Sequence, residues 1–411
     1  MATGPGARTR WHQVRRAGIR SDDTVAIHMP TPFSFPRVLC LLWAVLVVPL
    51  AACLLWSCVT LDGVVFGLAA LALGITPVFW IWGRKAPWLR YGALACLSLW
   101  LVLTCWLAWH HPNGRARSGA AVSNRYVGGG WHYENAALGA LLPEVDQFML
   151  GFRLVPALDP LFTHKQAAML SSLTRGIYQE LEADADFHAL GSVMPNAYRE
   201  LWGRRFDDGH YFLYVPPNLD QTKPEPALVF LHGSGGNFKA YTWILSRVAD
   251  ELGMVLVAPS YGMGNWDPHG GPRTVIAALD DAAGTIPLDR GQIHLMGLSN
   301  GGLGVSRTAA GSDGGRFNSL VFLSAVCDKT ALESSSFATT WKGKPVLVLT
   351  GRNDDRVPLA YEQSCADMMT HAGALVDMKT FDDADHFLLF SHRREMIATL
   401  RAWLEARLER K

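Results

Sequence analysis

Gly297-Leu298-Ser299-Asn300-Gly301 sets a serine between glycines, directly after the apolar run 292–296 and before a stretch with helical spacing. A hydroxyl is a weak nucleophile until a base takes its proton and its surroundings hold it clear. A strand–turn–helix junction with small flanking residues meets the second condition. Bulky neighbours would collide in so tight a turn, and the serine rides at a helix N-terminus, where partial positive charge favours an anion. In a chain with 39 glycines the motif alone is a modest signal, and an ordinary helix-capping serine is the plainer reading. The strand and helix around it, and the partners below, favour the nucleophile.

Three other loops carry groups that would complete such chemistry. The apolar run 227–231 ends in His232-Gly233-Ser234-Gly235-Gly236-Asn237. Small residues let backbone N–H groups approach a developing oxyanion, so the amides of Ser234 and Asn300 are the expected oxyanion donors. His232 is expected to brace this loop rather than act as a base, and the loop lacks the Lys-Ser/Thr of a phosphate-binding P-loop. The run 345–350 leads to Gly351-Arg352-Asn353-Asp354-Asp355-Arg356-Val357-Pro358, where a carboxylate can orient a histidine. Asp354 has the better spacing and Asp355 is the alternative. After the last apolar run comes Asp383-Ala384-Asp385-His386-Phe387, and His386 is the expected base. Gly235, and Trp266 in the loop after 254–259, are candidates for binding substrate. Loop packing accounts equally well for Trp266 and for its neighbour His269.

The elements that must position these groups are short apolar runs at 210–215, 227–232, 254–259, 292–297, 319–326, 345–350 and 374–381, separated mostly by amphipathic segments. Runs without polar alternation are buried on both faces, and strand–helix alternation implies a mostly parallel sheet. Ligands then sit beyond the carboxyl ends of the strands, where all four loops lie. Only about twenty residues, 326–344, separate two of the runs, so no large cap is inserted there. The pocket is expected to be open unless residues 135–200 fold over it.

The order Ser299, Asp354, His386 is the chain order of α/β-hydrolases. Residues 210–411 resemble the esterase, phospholipase/carboxylesterase and dienelactone-hydrolase-like members of that superfamily, in segments 232–236, 297–302, 351–358 and 383–387. The resemblance covers about half of the chain. It implies an α/β-hydrolase fold and an acyl-serine mechanism without metal or organic cofactor. Carboxylic ester hydrolysis is the leading expectation. A peptidase resembling the prolyl oligopeptidase group shares the order of residues, but the propeller domain that normally accompanies it has no counterpart here. A catalytically silent hydrolase fold serving as a membrane scaffold is the third reading; intact Ser299, Asp354 and His386 argue against it.

The first third of the chain has a different character. Hydrophobic residues make up 49% of the sequence, and the excess lies before residue 110. Segments 38–61, 64–82 and 91–109 have almost no charge and match the roughly 20 residues that cross a bilayer core. Tryptophans gather near their ends. Basic residues in 1–37 and 83–90, against none in the 62–63 connection, place the N-terminus in the cytoplasm and the catalytic domain outside; Arg115, Arg117 and Arg125 argue mildly the other way. Leu50-Ala51-Ala52-Cys53 resembles a lipoprotein cleavage box, but the residues after it stay apolar.

The expected organisation is a basic segment (1–37), three transmembrane helices (38–109), a linker with helical patches (110–200) and the catalytic domain (201–411). Formal net charge of +1 gives no sign of nucleic-acid binding. The expected partners are the membrane and a small-molecule or lipid-like ester. No Cys-x-x-Cys spacing suggests a zinc site, and Cys327 and Cys365 read more simply as two buried thiols than as a bridge.

Overall fold

The computed structural model describes residues 35–112, 114, 118–130, 137–198 and 209–408. The basic N-terminal segment up to residue 34, Arg115, Arg117 and the expected domain boundary at 200–201 lie outside the described residues.

Three helices come first: α1 (Phe35–Ser57), α2 (Leu61–Trp82) and α3 (Trp88–His110). Each is long and apolar enough to cross a membrane. At 1.5 Å per residue, 22 or 23 residues extend about 34 Å. Short turns reverse the chain twice, and consecutive helices pack along one another. The α1–α2 turn and the end of α3 therefore lie on the same side. Most leucines, valines and tryptophans of the three helices face outward; Leu46 is 70% exposed.

The rest builds one sheet with helices on both faces. After β1 (Val122–Tyr126) come α4 (Glu144–Leu154), α5 (His164–Ala183), α6 (Ala185–Ala189) and α7 (Met194–Tyr198). The alternating part follows: β2 (His210–Tyr214), β3 (Glu225–Leu231), α8 (Lys239–Leu252), β4 (Val255–Pro259), α9 (Gly270–Ala283), β5 (Leu288–Leu298), α10 (Gly301–Ala310) and β6 (Ser319–Leu323). The chain ends with α11 (Lys329–Leu332), α12 (Ser335–Trp341), β7 (Pro345–Gly351), α13 (Leu359–His371), β8 (Leu375–Phe381), α14 (Leu388–Ser391) and α15 (Arg393–Leu408). The eight strands run in the order β1-β2-β4-β3-β5-β6-β7-β8. The β1–β2 and β2–β4 pairs are antiparallel, and all other neighbours are parallel. This is the α/β-hydrolase fold.

Strand periodicity assigns the two cores. Leu228 and Phe230 of β3 join Leu256 of β4 in one apolar layer, against α8, α15 and the helices 144–198. Ala227, Val229 and Leu231 point the other way, with Val255 and Val257, toward α9, α10, α12 and α13. Two-sided burial explains why these strands read as unbroken apolar runs. β8 instead alternates between exposed and partly buried residues, because it is an edge strand with one open face.

Two expectations are corrected. The stretch read as linker contributes β1, which pairs in full register with β2 from Val122↔Tyr214 to Tyr126↔His210. Met149, Ile177, Leu181, Phe187 and Met194 are buried in the same core as β3 and β4. The described residues of 118–130 and 137–198 thus contribute a strand to the sheet and side chains to its core, beyond the linker expected for 110–130. Sequence alone missed this because β1 (Val-Ser-Asn-Arg-Tyr) is mostly polar and only its two ends are buried.

Cys327 and Cys365, read as two thiols, form a disulfide between the loop after β6 and α13, across a separation of 38 residues. The remaining described cysteines, all free, are Cys40, Cys53, Cys58, Cys96 and Cys105. Loop-closure entropy assigns such a bridge about 2–4 kcal/mol. Replacing Cys365 by serine should therefore lower Tm by about 5–15 °C in calorimetry, and reductant should bring the native protein down by the same amount. An unchanged Tm in both experiments would contradict the bridge.

Candidate active site

Ser299 follows the carboxyl end of β5 and precedes α10, in a left-handed backbone conformation with φ of 51°. That conformation costs a non-glycine residue about 1–2 kcal/mol and persists only when its surroundings enforce it. Here its N–H donates to Leu323 O at 3.0 Å, and its carbonyl accepts from Gly302 and Val326, both at 3.0 Å. The flanking glycines are required by contact. A Cβ on Gly301 would lie 2.2 Å from Leu231 O, and one on Gly297 2.6 Å from the Gly301 carbonyl. The end of β3 and the start of α10 touch at this point, so no side chain fits between them.

His386 Nε2 lies 3.1 Å from Ser299 Oγ, and its Nδ1 lies 2.8 Å from Asp354 Oδ2. Asp354 Oδ1 accepts the amides of Arg356 at 2.9 Å and Val357 at 2.8 Å. The Asp354 side chain is wholly buried. With an ionised Asp354, Nδ1 of the imidazole donates to the carboxylate, leaving Nε2 free to accept from the serine hydroxyl. The neighbouring Asp355 is exposed, so of the two aspartates only Asp354 meets His386. The arrangement can move a proton from the serine to the histidine and back.

The loop after β3 lies beside the serine because β3 and β5 are parallel neighbours, paired as Leu231↔Gly297 at their ends. A Cβ on Gly233 would sit 3.0 Å from the Ser299 Cβ. Asn300 Nδ2 donates to Ser234 Oγ at 2.8 Å, tying together the two residues expected to present amides. Among the described residues, neither the Ser234 nor the Asn300 amide donates to a backbone carbonyl. Gly235 donates to Met263 O at 3.0 Å and lines the cavity above the serine.

His232 braces this loop. Its Nε2 accepts the Tyr261 amide at 2.9 Å, so Nδ1 carries the proton and donates to Gly233 O at 2.8 Å. Complete burial lowers its pKa to about 4, which keeps it neutral. Trp266 does not line the cavity, contrary to its candidacy as a substrate contact. It is fully buried, stacks on Tyr261 and donates its indole N–H to His232 O at 2.8 Å, supporting the His232–Gly236 loop from below. His269 is exposed beside α9 and is likewise absent from the lining.

Above Ser299 and His386 opens a cavity of about 530 Å³. Its walls are chiefly apolar, with Phe148 and Phe152 of α4, Phe162, Ile177 of α5, and Phe238 among them. Sequence reasoning named none of these. Phe148 and Phe152 stand at i and i+4, one face of an amphipathic helix, but what faced them was not readable. Residues 144–198 do fold over the site.

Glu362 of α13 is buried near Asp354. Burial raises its pKa to about 8, reinforced by the nearby Asp354 charge. At neutral pH it is held mainly as the uncharged acid.

Residues 333–411 match the prolyl oligopeptidase family (Peptidase_S9). That stretch contains Asp354 and His386 but not Ser299. No curated sequence matches the chain. Among solved structures, Est1E from Butyrivibrio proteoclasticus is similar over 49% of this chain and 95% of its own, at 16% identity and a TM-score of 0.40. An esterase from Pyrobaculum calidifontis matches over 48% of this chain and 81% of its own, at 16% identity and 0.40. The acylaminoacyl peptidase of Pyrococcus horikoshii matches over 48% of this chain and 39% of its own, at 16% identity and 0.39.

The Glu362 reading has a measurable consequence. A carboxyl whose folded pKa is raised contributes its full stability below the unfolded value near 4.5, and loses it as pH climbs toward about 8. Glu362→Gln removes that titration. In urea denaturation the variant should gain on the native protein between about pH 5 and pH 8, by up to about 1.4 kcal/mol per pH unit. A stability difference that does not change with pH would refute the assignment.

Proposed function

We propose that this protein is a membrane-anchored serine hydrolase that cleaves carboxylic esters through an acyl-serine intermediate. The observation that carries this reading is the continuous chain from Ser299 Oγ through His386 to buried Asp354, at the floor of an apolar cavity. Ser299 Oγ attacks the ester carbonyl carbon while His386 Nε2 takes its proton, and Asp354 stabilises the resulting imidazolium. The carbonyl oxygen, now an anion, is met by the Ser234 and Asn300 amides. Collapse breaks the bond to the leaving oxygen, which departs as the alcohol with the proton from His386. Water, deprotonated by His386, then attacks the acyl-enzyme and releases the carboxylic acid and free Ser299.

The family match over residues 333–411 favours a second reading, a serine peptidase. The cavity wall favours the ester, because a peptide would need partners for its backbone N–H and C=O groups where chiefly apolar side chains stand. The intact serine–histidine–aspartate chain also favours an enzyme over a silent scaffold.

The three apolar helices serve as the anchor, with the hydrolase on the extracytoplasmic side. Two independent features support that side: the positively charged segments at 1–37 and 83–90, and a disulfide confined to the hydrolase domain, since such bonds persist in oxidising compartments.

A fluorophosphonate probe should label the native protein and not Ser299→Ala, and the same variant should lose hydrolysis of soluble 4-nitrophenyl esters. Equal labelling and equal turnover of the two proteins would remove Ser299 from the mechanism. The oxyanion assignment has its own test. A Cβ at Gly264 would lie 2.3 Å from Gly233 O and 3.2 Å from Ser234 N, at a φ of +90°. Gly264→Ala should displace the Ser234 amide and lower kcat by about 10²–10³-fold, the cost of one oxyanion donor. Unchanged kcat in that variant would argue against Ser234.

A further inference from the structure

We propose that the cavity above Ser299 opens onto the bilayer, so that the acyl chain of a membrane-resident lipid ester enters between Val155 and Phe162. This rests on the ester hydrolase reading above and adds to it the class of substrate and its route.

The argument begins with how α4 is mounted. Asp146, near its start, caps the α1–α2 turn: Oδ1 accepts the amides of Val59 at 2.6 Å and Thr60 at 3.3 Å, and Oδ2 accepts the Thr60 hydroxyl. Arg153, near its end, lies 4.0 Å above the ring of Trp56, in the last turn of α1. The two anchor points are seven residues apart, about 10 Å along the helix. Both meet the same turn, where the apolar spans end and the polar boundary of a bilayer begins. Helix α4 is therefore laid along that boundary rather than standing away from it.

The opposite face of the same helix belongs to the cavity. Gln147, Phe148, Gly151 and Phe152 line it. One short helix thus has the anchor on one face and the substrate wall on the other, which brings the cavity to the membrane surface.

The residues that follow α4 are of the kind that enter lipid. Leu154, Val155, Leu158 and Leu161 are 37%, 36%, 81% and 50% exposed. Four exposed large apolar side chains within eight residues are costly in water but suit the headgroup–acyl boundary. Val155, Asp159 and Phe162 of the same segment line the cavity, so the exposed apolar rim borders the mouth.

The rim is also tied to the reacting loops. Asp159 pairs with Arg356, two residues beyond Asp354, and the Arg356 guanidinium lies 5.7 Å from the centre of the Phe162 ring and 5.8 Å from that of Phe387. Gln166, in the first turn of α5, donates to Asp385 at 3.2 Å, next to His386. An acyl chain passing this rim would run along phenyl rings toward Ser299, and the head group would stay at the polar boundary.

The test uses the full chain in phosphatidylcholine nanodiscs, with two substrates that share a leaving group. One is 4-nitrophenyl palmitate dissolved in the bilayer, and the other is 4-nitrophenyl acetate in water. The variant is Leu158→Asp/Leu161→Asp, which alters exposed rim residues absent from the cavity lining. Its palmitate hydrolysis should fall about tenfold or more, because each carboxylate replaces a lipid contact, while acetate hydrolysis stays as in the native protein and shows that the fold is intact. Palmitate hydrolysis that is unchanged, that falls only in step with acetate, or that is absent from a native protein active on acetate would overturn the proposed route and leave the esterase reading standing. Absence of Ser299-dependent acetate hydrolysis would overturn the parent reading and this one together.

Discussion

The contact between the end of β3 and the start of α10 is the constraint on which the site depends. Gly301 lies so close to Leu231 O that even a methyl group is excluded. That approach brings the His232–Gly236 loop against the turn carrying Ser299. The serine must then take a left-handed backbone, held by hydrogen bonds to Leu323, Gly302 and Val326. Each further element answers to this geometry. β5 and β6 pair in parallel so that Leu323 can accept the Ser299 amide, and β7 and β8 carry the aspartate and histidine loops to the same edge. The strain in one residue is thus balanced by a whole sheet.

Polar groups beneath the site are arranged to hold one state each. Neutral His232 has both nitrogens engaged, and Trp266 fixes the carbonyl of the same residue. Asp354 takes two backbone amides and one imidazole. Glu362, close by, is kept largely uncharged at neutral pH, so a second full negative charge is not imposed on Asp354. His232 and Asp354, with fixed partners on every polar side-chain atom, are held in one orientation.

The loops of the sheet and the helices upstream of it divide the work. The strands present the reacting groups at their carboxyl ends, as open α/β sheets do. The helices between residues 144 and 198 supply apolar wall and, through Asp146 and Arg153, the link to α1 and α2. The turn between α1 and α2 and the cavity wall are thus joined through one helix of eleven residues.

Where local chemistry decides, the sequence was legible. That Ser299, Asp354 and His386 lie in loops at one end of the sheet was readable because each follows an apolar run, and the glycines around the serine reflect a contact that excludes side chains. The three apolar helices were readable because each is an almost uncharged apolar run long enough to cross a bilayer. Where a residue's role depends on what comes to face it from far along the chain, the sequence was silent or misleading. Trp266 looked like a pocket residue and became a buried support, because its indole met the His232 carbonyl. Cys327 and Cys365 looked like separate thiols and became a bridge, because α13 packs back onto the loop after β6. The polar strand β1 looked like part of a linker and the phenylalanines of α4 like one face of a helix without an assigned partner, and only pairing with β2 and folding over Ser299 gave them places in the sheet and the cavity. Periodicity and steric exclusion are written into neighbouring residues, whereas partnership across scores of residues exists only once the chain has closed on itself.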